Sequence, residues 1–392
     1  FFLIDGLADS LVNSPLRLAK KPFIQSKLNN SFLAYFYPTP KKFWLNKSNK
    51  ASISGLATFS LLGYSINHQI FKRGPYEALG NDINYKNGWL ALRVDFGTID
   101  KNFMVKDRRA SRNDYGIKKL VAEINKIKFK IPFSLYPTVG HRGVLIFKQK
   151  LSPHLTDSDP YQLNKKVRKI KCLKQDSLSQ KSQRIVQEFL DLSHNILSQS
   201  KINLIRQQMG LSPINYLLTR QAGNKILKVE NFFKKYKLPI GLALTEKGVV
   251  RGILKTTGWS LATLEPTLTT EAELKLTRLK LEKNLKKYNL FFIHLKKADE
   301  AGHDKNFQAK KDFFEKFDRF LSLWYKFRIV ITGDHLTEVK TGEHAYGPVP
   351  ILFLNFNLTN QPQEFSEKEA LKLGFKLKSN ELWNFISTSK FS

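Results

Sequence analysis

Seven short apolar runs, most of them closed by a polar residue or a glycine, limit what this chain can fold into more than any other feature. They are Phe1–Ile4, Gly88–Phe96, Gly143–Gln149, Leu238–Leu244, Leu290–Leu295, Arg328–Thr332 and Pro350–Phe356. Several are continuously apolar rather than alternating, the pattern of strands covered on both faces. Between them, Ser182–Gln199 and Phe307–Trp324 carry helical periodicity. Buried strands separated by helices predict an α/β fold. Pro153–Ser182 is polar and charged and reads as a surface connection.

A chain of 392 residues, 42% of them hydrophobic, has room for two domains and a substantial core. Its single cysteine, Cys172, excludes a disulfide framework and fits a reducing, cytoplasmic compartment. No apolar run reaches the roughly 20 residues that cross a bilayer, so no membrane partner is expected. The opening FFLIDG has neither a Met nor a basic leader and is not a signal peptide. It reads as a strand that has lost a few leading residues. The net charge of +32 invites a nucleic-acid reading. The basic residues are spread from Lys20–Lys27 through Lys165–Lys171 to Leu274–Lys287, however, rather than gathered with aromatics on one face. The charge is therefore read as background that draws in an anionic substrate, not a nucleic acid.

Four places set chemistry-bearing residues at predicted strand ends, where sites collect in open α/β sheets. Asp5 closes the first run and is followed by Gly6; alone, it is as easily a helix cap. Ser54 and Gly55 precede a helical stretch, where a serine oxygen faces a phosphate-favouring helix start or simply caps the helix. Asp299 and His303 follow the run Leu290–Leu295 four residues apart, so a helix there aims both to one side; a solvated charged loop competes. His294, inside that run, reads as a core or supporting histidine. Asp334 and His335 end the run Arg328–Thr332, and His344 lies nine residues on. Three Asp, three His and one Ser make two ligand sets, suited to two divalent ions that activate a serine oxygen and clamp a phosphoryl group.

These residues sit within motifs that resemble the archaeal-type cofactor-independent phosphoglycerate mutases, a branch of the alkaline phosphatase superfamily. The motifs run in order across nearly the whole chain: DGLAD at Asp5, SGLATFSLLGY at Ser54, RGPYEALG at Arg73, LRVDFGTID at Leu92, DRRASR at Asp107, GHRGVLIF at Gly140, LSPHLTDSDP at Leu151, NYLLTRQAG at Asn215, KADEAGHD at Lys297, TGDH at Thr332 and EHAYGPVP at Glu343. The resemblance implies an alkaline-phosphatase-like three-layer α/β/α domain (residues 1–74 and 215–392) with a smaller inserted α/β (α+β) domain (residues 75–214). It implies Ser54 as nucleophile through a phosphoserine. Asp5, Ser54, Asp334 and His335 would hold one ion and Asp299, His303 and His344 the other. The expected ion is Mn²⁺, with Mg²⁺, Zn²⁺ or Co²⁺ as substitutes and no 2,3-bisphosphoglycerate. The implied reaction interconverts 3-phosphoglycerate and 2-phosphoglycerate in glycolysis and gluconeogenesis.

A mutase must also retain glycerate and exclude water. Candidates for binding its carboxylate and phosphate are Asp95, Arg109, Arg112, His141, Arg142 and Arg220, with Lys247 and Arg251 for the phosphoryl group; arginine forks suit both anions. The chain departs from the family pattern at Asp95–Thr98, Leu336 and Ala345–Gly347. Two other readings stand beside this one. The first is a phosphomonoesterase or phosphopentomutase with the same metal residues. The second is a basic nucleic-acid-binding protein with a vestigial site.

Overall fold

The computed structural model describes residues 1–45, 53–66 and 70–388. The chain forms two compact units, one of Phe1–His68, Val229–Glu246 and Ile253–Ser392, the other of Gln69–Lys228 and Lys247–Gly252. The second unit is thus wider at both ends than the stretch 75–214 and takes in one short later piece of chain, Lys247–Gly252.

The first unit is built on a seven-stranded mixed sheet. Its strands are β1 (Phe2–Ile4), β2 (Ser31–Phe36), β8 (Leu242–Thr245), β9 (Ser260–Thr263), β10 (Phe291–Leu295), β11 (Ile329–Gly333) and β14 (Val349–Leu354), in the order β2-β14-β11-β1-β10-β8-β9. Strand β1 lies between β11 and β10 and runs parallel to both. Its Leu3 and Ile4 are wholly buried, which is why so short a run reads as continuously apolar. The run Leu238–Leu244 forms a strand only from Leu242. Strand β9 had no clear signal, because at the sheet edge each of its residues is half-buried. The helix Phe307–Ser322 starts where the Asn306 side chain accepts the Ala309 N–H. Phe313, Phe317 and Phe320 repeat at helical spacing, and Phe317 meets Phe2 of β1 edge-on at 5.3 Å between ring centres. Each such ring contributes about 1.5–3 kcal/mol on burial.

The second unit holds an antiparallel sheet of β3 (Trp89–Ile99), β4 (Val105–Asp107), β5 (Phe133–Pro137), β6 (Arg142–Lys150) and β7 (Tyr216–Gly223). Strand β3 pairs with β4, β6 and β7, and β5 pairs with β6. It obeys the period-2 rule: Leu90, Leu92, Val94 and Phe96 join one apolar core. Packed against them are Leu120 and Ile124 of the helix Ile117–Asn125, and Phe189 of the helix Ser177–Gln199. The alternate positions, Arg93 and Asp95, carry buried charge toward the other side.

Candidate active site

Three adjacent parallel strands of the first unit end side by side. The register pairs Ile4 with Gly333 and with Leu295, so the chain leaves β1 at Asp5, β11 at Asp334 and β10 at Lys296 on one edge of the sheet. Gly6 has a φ of +63°, and its N–H donates to Asp334 Oδ1 at 3.1 Å. A Cβ at residue 6 would lie 2.5 Å from Thr337 Oγ1 and 2.8 Å from Asp299 Oδ1, so only glycine leaves the site room. Immediately after β10, the helix Lys297–His303 carries Asp299 and His303 one turn apart. A two-stranded ribbon, β12 (Leu336–Glu338) with β13 (Glu343–Ala345), pairs Thr337 with His344. Ser54 is the second residue of the helix Ile53–Leu61.

The seven residues converge. His335 Nε2 lies 3.2 Å from Asp5 Oδ1, 3.3 Å from Asp334 Oδ2 and 3.2 Å from Ser54 Oγ. Asp299 Oδ2 is 3.4 Å from His303 Nε2, and its Oδ1 is 3.5 Å from His344 Nε2. The rings of His335 and His344 are 3.9 Å apart between centres. Among the described residues, two groups bring one ligand atom each within 4.8 Å of one another: Asp5, Asp334 and His335, and Asp299, His335 and His344.

A divalent ion fits these donors. Asp5 Oδ1, Asp334 Oδ2 and His344 Nε2 are buried without a hydrogen-bond partner, an arrangement that costs free energy unless something fills it. Bond lengths of about 2.0–2.2 Å to N and O ligands place neighbouring ligand atoms about 3.0–3.5 Å apart, and the observed separations match. The charges point the same way. Burial and the Asp5 charge push Asp334 up to about 7. Burial opposes ionisation of Asp5, but the His294 and His335 imidazoles beside it outweigh that and hold the carboxyl well below its usual range. Burial disfavours the His335 cation, yet Asp334 and Asp5 raise it to about 9. Burial and the neighbouring His335 lower His344 to about 4. One bound dication would relieve this crowding of carboxylates.

Other groups aim these ligands. Thr337 Oγ1 donates to Asp299 Oδ1 at 2.6 Å and sits 3.2 Å from His335 Nδ1. Its single proton goes to Asp299, so it accepts from His335 Nδ1–H and turns Nε2 toward the carboxylates. His303 Nδ1 donates to the Gly342 carbonyl at 2.7 Å, leaving its Nε2 toward Asp299 in the same way. Thr337 carries no signal in the sequence, because a three-residue strand paired opposite His344 has no period.

The anion-binding candidates lie in the second unit. Asp95 accepts from Arg93 Nη2 at 3.1 Å and pairs with Arg220, whose Nε reaches Asp159 at 2.5 Å. Burial opposes the Asp95 charge, but these arginines hold the carboxyl far below its usual range. Arg142 lies opposite Asp95 in the β3–β6 register, with its Nε buried and without a hydrogen-bond partner. Burial lowers His141 to about 3, opposed by the Asp95 charge and assisted by Arg142, Arg93 and Arg109. Arg109 and Arg112 flank a turn in which Ala110, Ser111 and Arg112 all have φ near +50°, a strained backbone for side chains of this kind. Asp107 accepts the N–H groups of Arg109 and Ser111, and the wholly buried Arg206 donates to the Ala110, Asn113, Tyr115 and Ser212 carbonyls. Nothing local in the sequence distinguishes Arg206 from the other basic residues. Arg251 is buried, with its Nη1 on the Gly80 carbonyl and Asp82 Oδ1 at 2.9 and 2.8 Å, the arrangement of a packing residue. Lys247 is partly exposed, 3.9 Å from Asp82.

Two family models match: 2,3-bisphosphoglycerate-independent phosphoglycerate mutase over residues 47–203, and the Metalloenzyme superfamily over residues 255–378. The chain is 30% identical to 2,3-bisphosphoglycerate-independent phosphoglycerate mutase 1 of Methanocaldococcus jannaschii, over 95% of this chain and 92% of that protein. It is 29% identical to the protein of the same name from Archaeoglobus fulgidus, over 97% and 95%. Among solved structures it is similar to a Pyrococcus horikoshii protein, with a TM-score of 0.75 and 23% identity over 100% and 98% of the two chains. The cofactor-independent phosphoglycerate mutase of Thermoplasma acidophilum follows with a TM-score of 0.58 and 22% identity over 98% and 97%.

Proposed function

The chain belongs to the 2,3-bisphosphoglycerate-independent phosphoglycerate mutases, and from that membership we propose how its residues divide the work of the reaction. It is an isomerase that interconverts 3-phosphoglycerate and 2-phosphoglycerate, and it depends on divalent metal. We propose further that the site would take two ions, Mn²⁺ first among them, and that the enzyme works in the cytoplasm. The observation that carries this assignment is the convergence of Ser54 Oγ, Asp5 and Asp334 on His335 Nε2 within 3.3 Å.

Asp5, Ser54, Asp334 and His335 would hold one ion; Asp299, His303 and His344 would hold the other. When bound, the ions make the serine hydroxyl easier to ionise and neutralise charge on the phosphoryl oxygens. Ser54 Oγ attacks the phosphorus of 3-phosphoglycerate in line, and the 3-oxygen of glycerate departs. Ser54 heads a nine-residue helix, whose N-terminal N–H groups favour the transferred phosphoryl group. The glycerate stays bound, turns, and its 2-hydroxyl oxygen takes the phosphoryl group back from Ser54. Retention falls to the second unit, in which Arg109, Arg112 and Arg142 supply guanidinium groups for the carboxylate and phosphate while neutral His141 donates without adding charge. Asp95 and Arg220 act within this group by setting the guanidinium positions. Of the two remaining cations, Arg251 holds the Gly80–Asp82 turn, which leaves Lys247 as the candidate for the phosphoryl group.

The test is an assay of the Mn²⁺-loaded protein with 3-phosphoglycerate, following 2-phosphoglycerate and free phosphate together. Mutase product without phosphate release is expected, unaffected by added 2,3-bisphosphoglycerate. Chelator should abolish it, and Ser54→Ala should lower it by a factor of about 10⁴ or more. Phosphate as the main product would instead make the enzyme a phosphatase on the same site.

A further inference from the structure

We infer that His294 is a positioning residue for Asp5, holding one carboxylate oxygen so that the other alone is presented to the ion; this rests on Asp5 being a metal ligand. His294 lies one residue from the end of β10, paired in register with Leu3 of β1, and is 1% exposed. Asp5 divides its two oxygens: Oδ1 faces His335 Nε2 at 3.2 Å, and Oδ2 faces His294 Nε2 at 3.3 Å. His294 does not belong to either group of ligand atoms that converges tightly enough for one ion. It stands behind Asp5.

Proton accounting fixes how it works. Thr245 Oγ1 is 3.2 Å from His294 Nδ1 and 3.2 Å from the Glu246 carbonyl. The hydroxyl has one proton. If it goes to the carbonyl, a neutral His294 must donate from Nδ1, and its bare Nε2 then confronts a carboxylate oxygen in a buried site. If it goes to His294 Nδ1, Nε2 carries the proton toward Asp5 Oδ2, so both ring nitrogens and the carboxylate oxygen are matched and only the Glu246 carbonyl gives up this donor. Nε2 is buried with no hydrogen bond of full geometry to any group, and the polar atom it faces is Asp5 Oδ2 at 3.3 Å. A carboxylate held at one oxygen cannot swing to bind an ion through both, and its ligand oxygen arrives already aimed.

Mn²⁺ binding to the metal-free protein, measured by titration calorimetry and by the electron-spin resonance of free Mn²⁺, tests this on four variants. His294→Ala is expected to weaken Mn²⁺ binding about 10- to 100-fold while leaving the unfolding temperature of the metal-free protein within a few degrees. His294→Gln, whose amide N–H can reach Asp5 Oδ2, should recover most of the loss, which a merely structural role would not predict. Thr245→Val should act in the same direction and less strongly. Asp5→Asn is the reference. If Asp5→Asn weakens binding while His294→Ala and Thr245→Val do not, the positioning role is wrong and the ligand assignment stands. Normal Mn²⁺ binding in Asp5→Asn overturns the ligand assignment and the inference with it. If His294→Ala does not fold, His294→Gln and Thr245→Val decide, and a loss that Gln fails to recover overturns the role.

Discussion

At the scale of single residues, Thr337 supports two residues of the site at once. Its hydroxyl joins Asp299 to His335, so Thr337→Val removes a donor from one ligand and an acceptor from another at nearly constant shape. Mn²⁺ affinity should fall about 10-fold, read by calorimetric titration, whereas Thr337→Ser should stay near wild type. Asp95 is a second case. With its charge gone, Arg93 and Arg220 lose a buried partner, which costs about 3–5 kcal/mol for such a pair, so Asp95→Asn should unfold at markedly lower urea at neutral pH. The folded-state pKa of Asp95 is depressed. Its stabilisation is therefore complete above the unfolded value of about 4 and is lost as pH falls from there toward the folded value. Urea titrations of both proteins from pH 7 to pH 3 should show the gap closing in acid.

At the scale of elements, long periodic segments were legible and short paired ones were not. The helix Phe307–Ser322 was expected as Phe307–Trp324, because three turns of phenylalanine stripe outweigh end effects. The pair β12–β13 was invisible: three residues carry no period, and pairing Thr337 with His344 needs the turn between them to close. What anchors that ribbon is also remote in sequence. Lys310 Nζ, wholly buried, donates to the Ala8 carbonyl at 3.1 Å and the Thr337 carbonyl at 2.6 Å, and lies 3.7 Å from Asp9 Oδ2. One helix-borne ammonium thus ties the loop after β1 to the strand after His335. Replacing it as Lys310→Met takes the ammonium away from the buried Asp9 carboxylate, which keeps only the Leu11 and Val339 N–H groups, and removes a donor from the Ala8 and Thr337 carbonyls. A loss of about 3–5 kcal/mol is expected in urea unfolding, together with weaker Mn²⁺ binding, because Asp5 and His335 lose their common tether.

At the scale of the whole molecule, the metal site and the stability of the chain are linked. Carboxylates and imidazoles crowded in a buried pocket oppose folding until a dication compensates them. A ligand that binds only the folded state adds about 2.7 kcal/mol when present at 100 times its Kd. Scanning calorimetry should therefore show the unfolding temperature falling by several degrees on addition of EDTA and recovering with Mn²⁺; no change would mean that the site does not hold an ion tightly.

The apolar runs and their polar ends were enough, by themselves, to indicate an α/β fold and to mark Asp5, Asp299, Asp334 and His335 as strand-end residues, because backbone hydrogen bonding imposes a local period on any buried strand. The ordered motifs marked the family, since they are local strings too. Tertiary structure alone decided the rest. It set Asp5 beside Asp334 across more than 300 residues, because strand order in a sheet follows from which buried faces pack and not from nearness in sequence. It tied up Asp95, Arg220 and Arg251 in ion pairs while leaving the Arg142 Nε without a partner. In a chain of charge +32 no local signal separates an arginine that binds an anion from one that holds a loop, because that difference lies in the partners the fold brings within 3 Å.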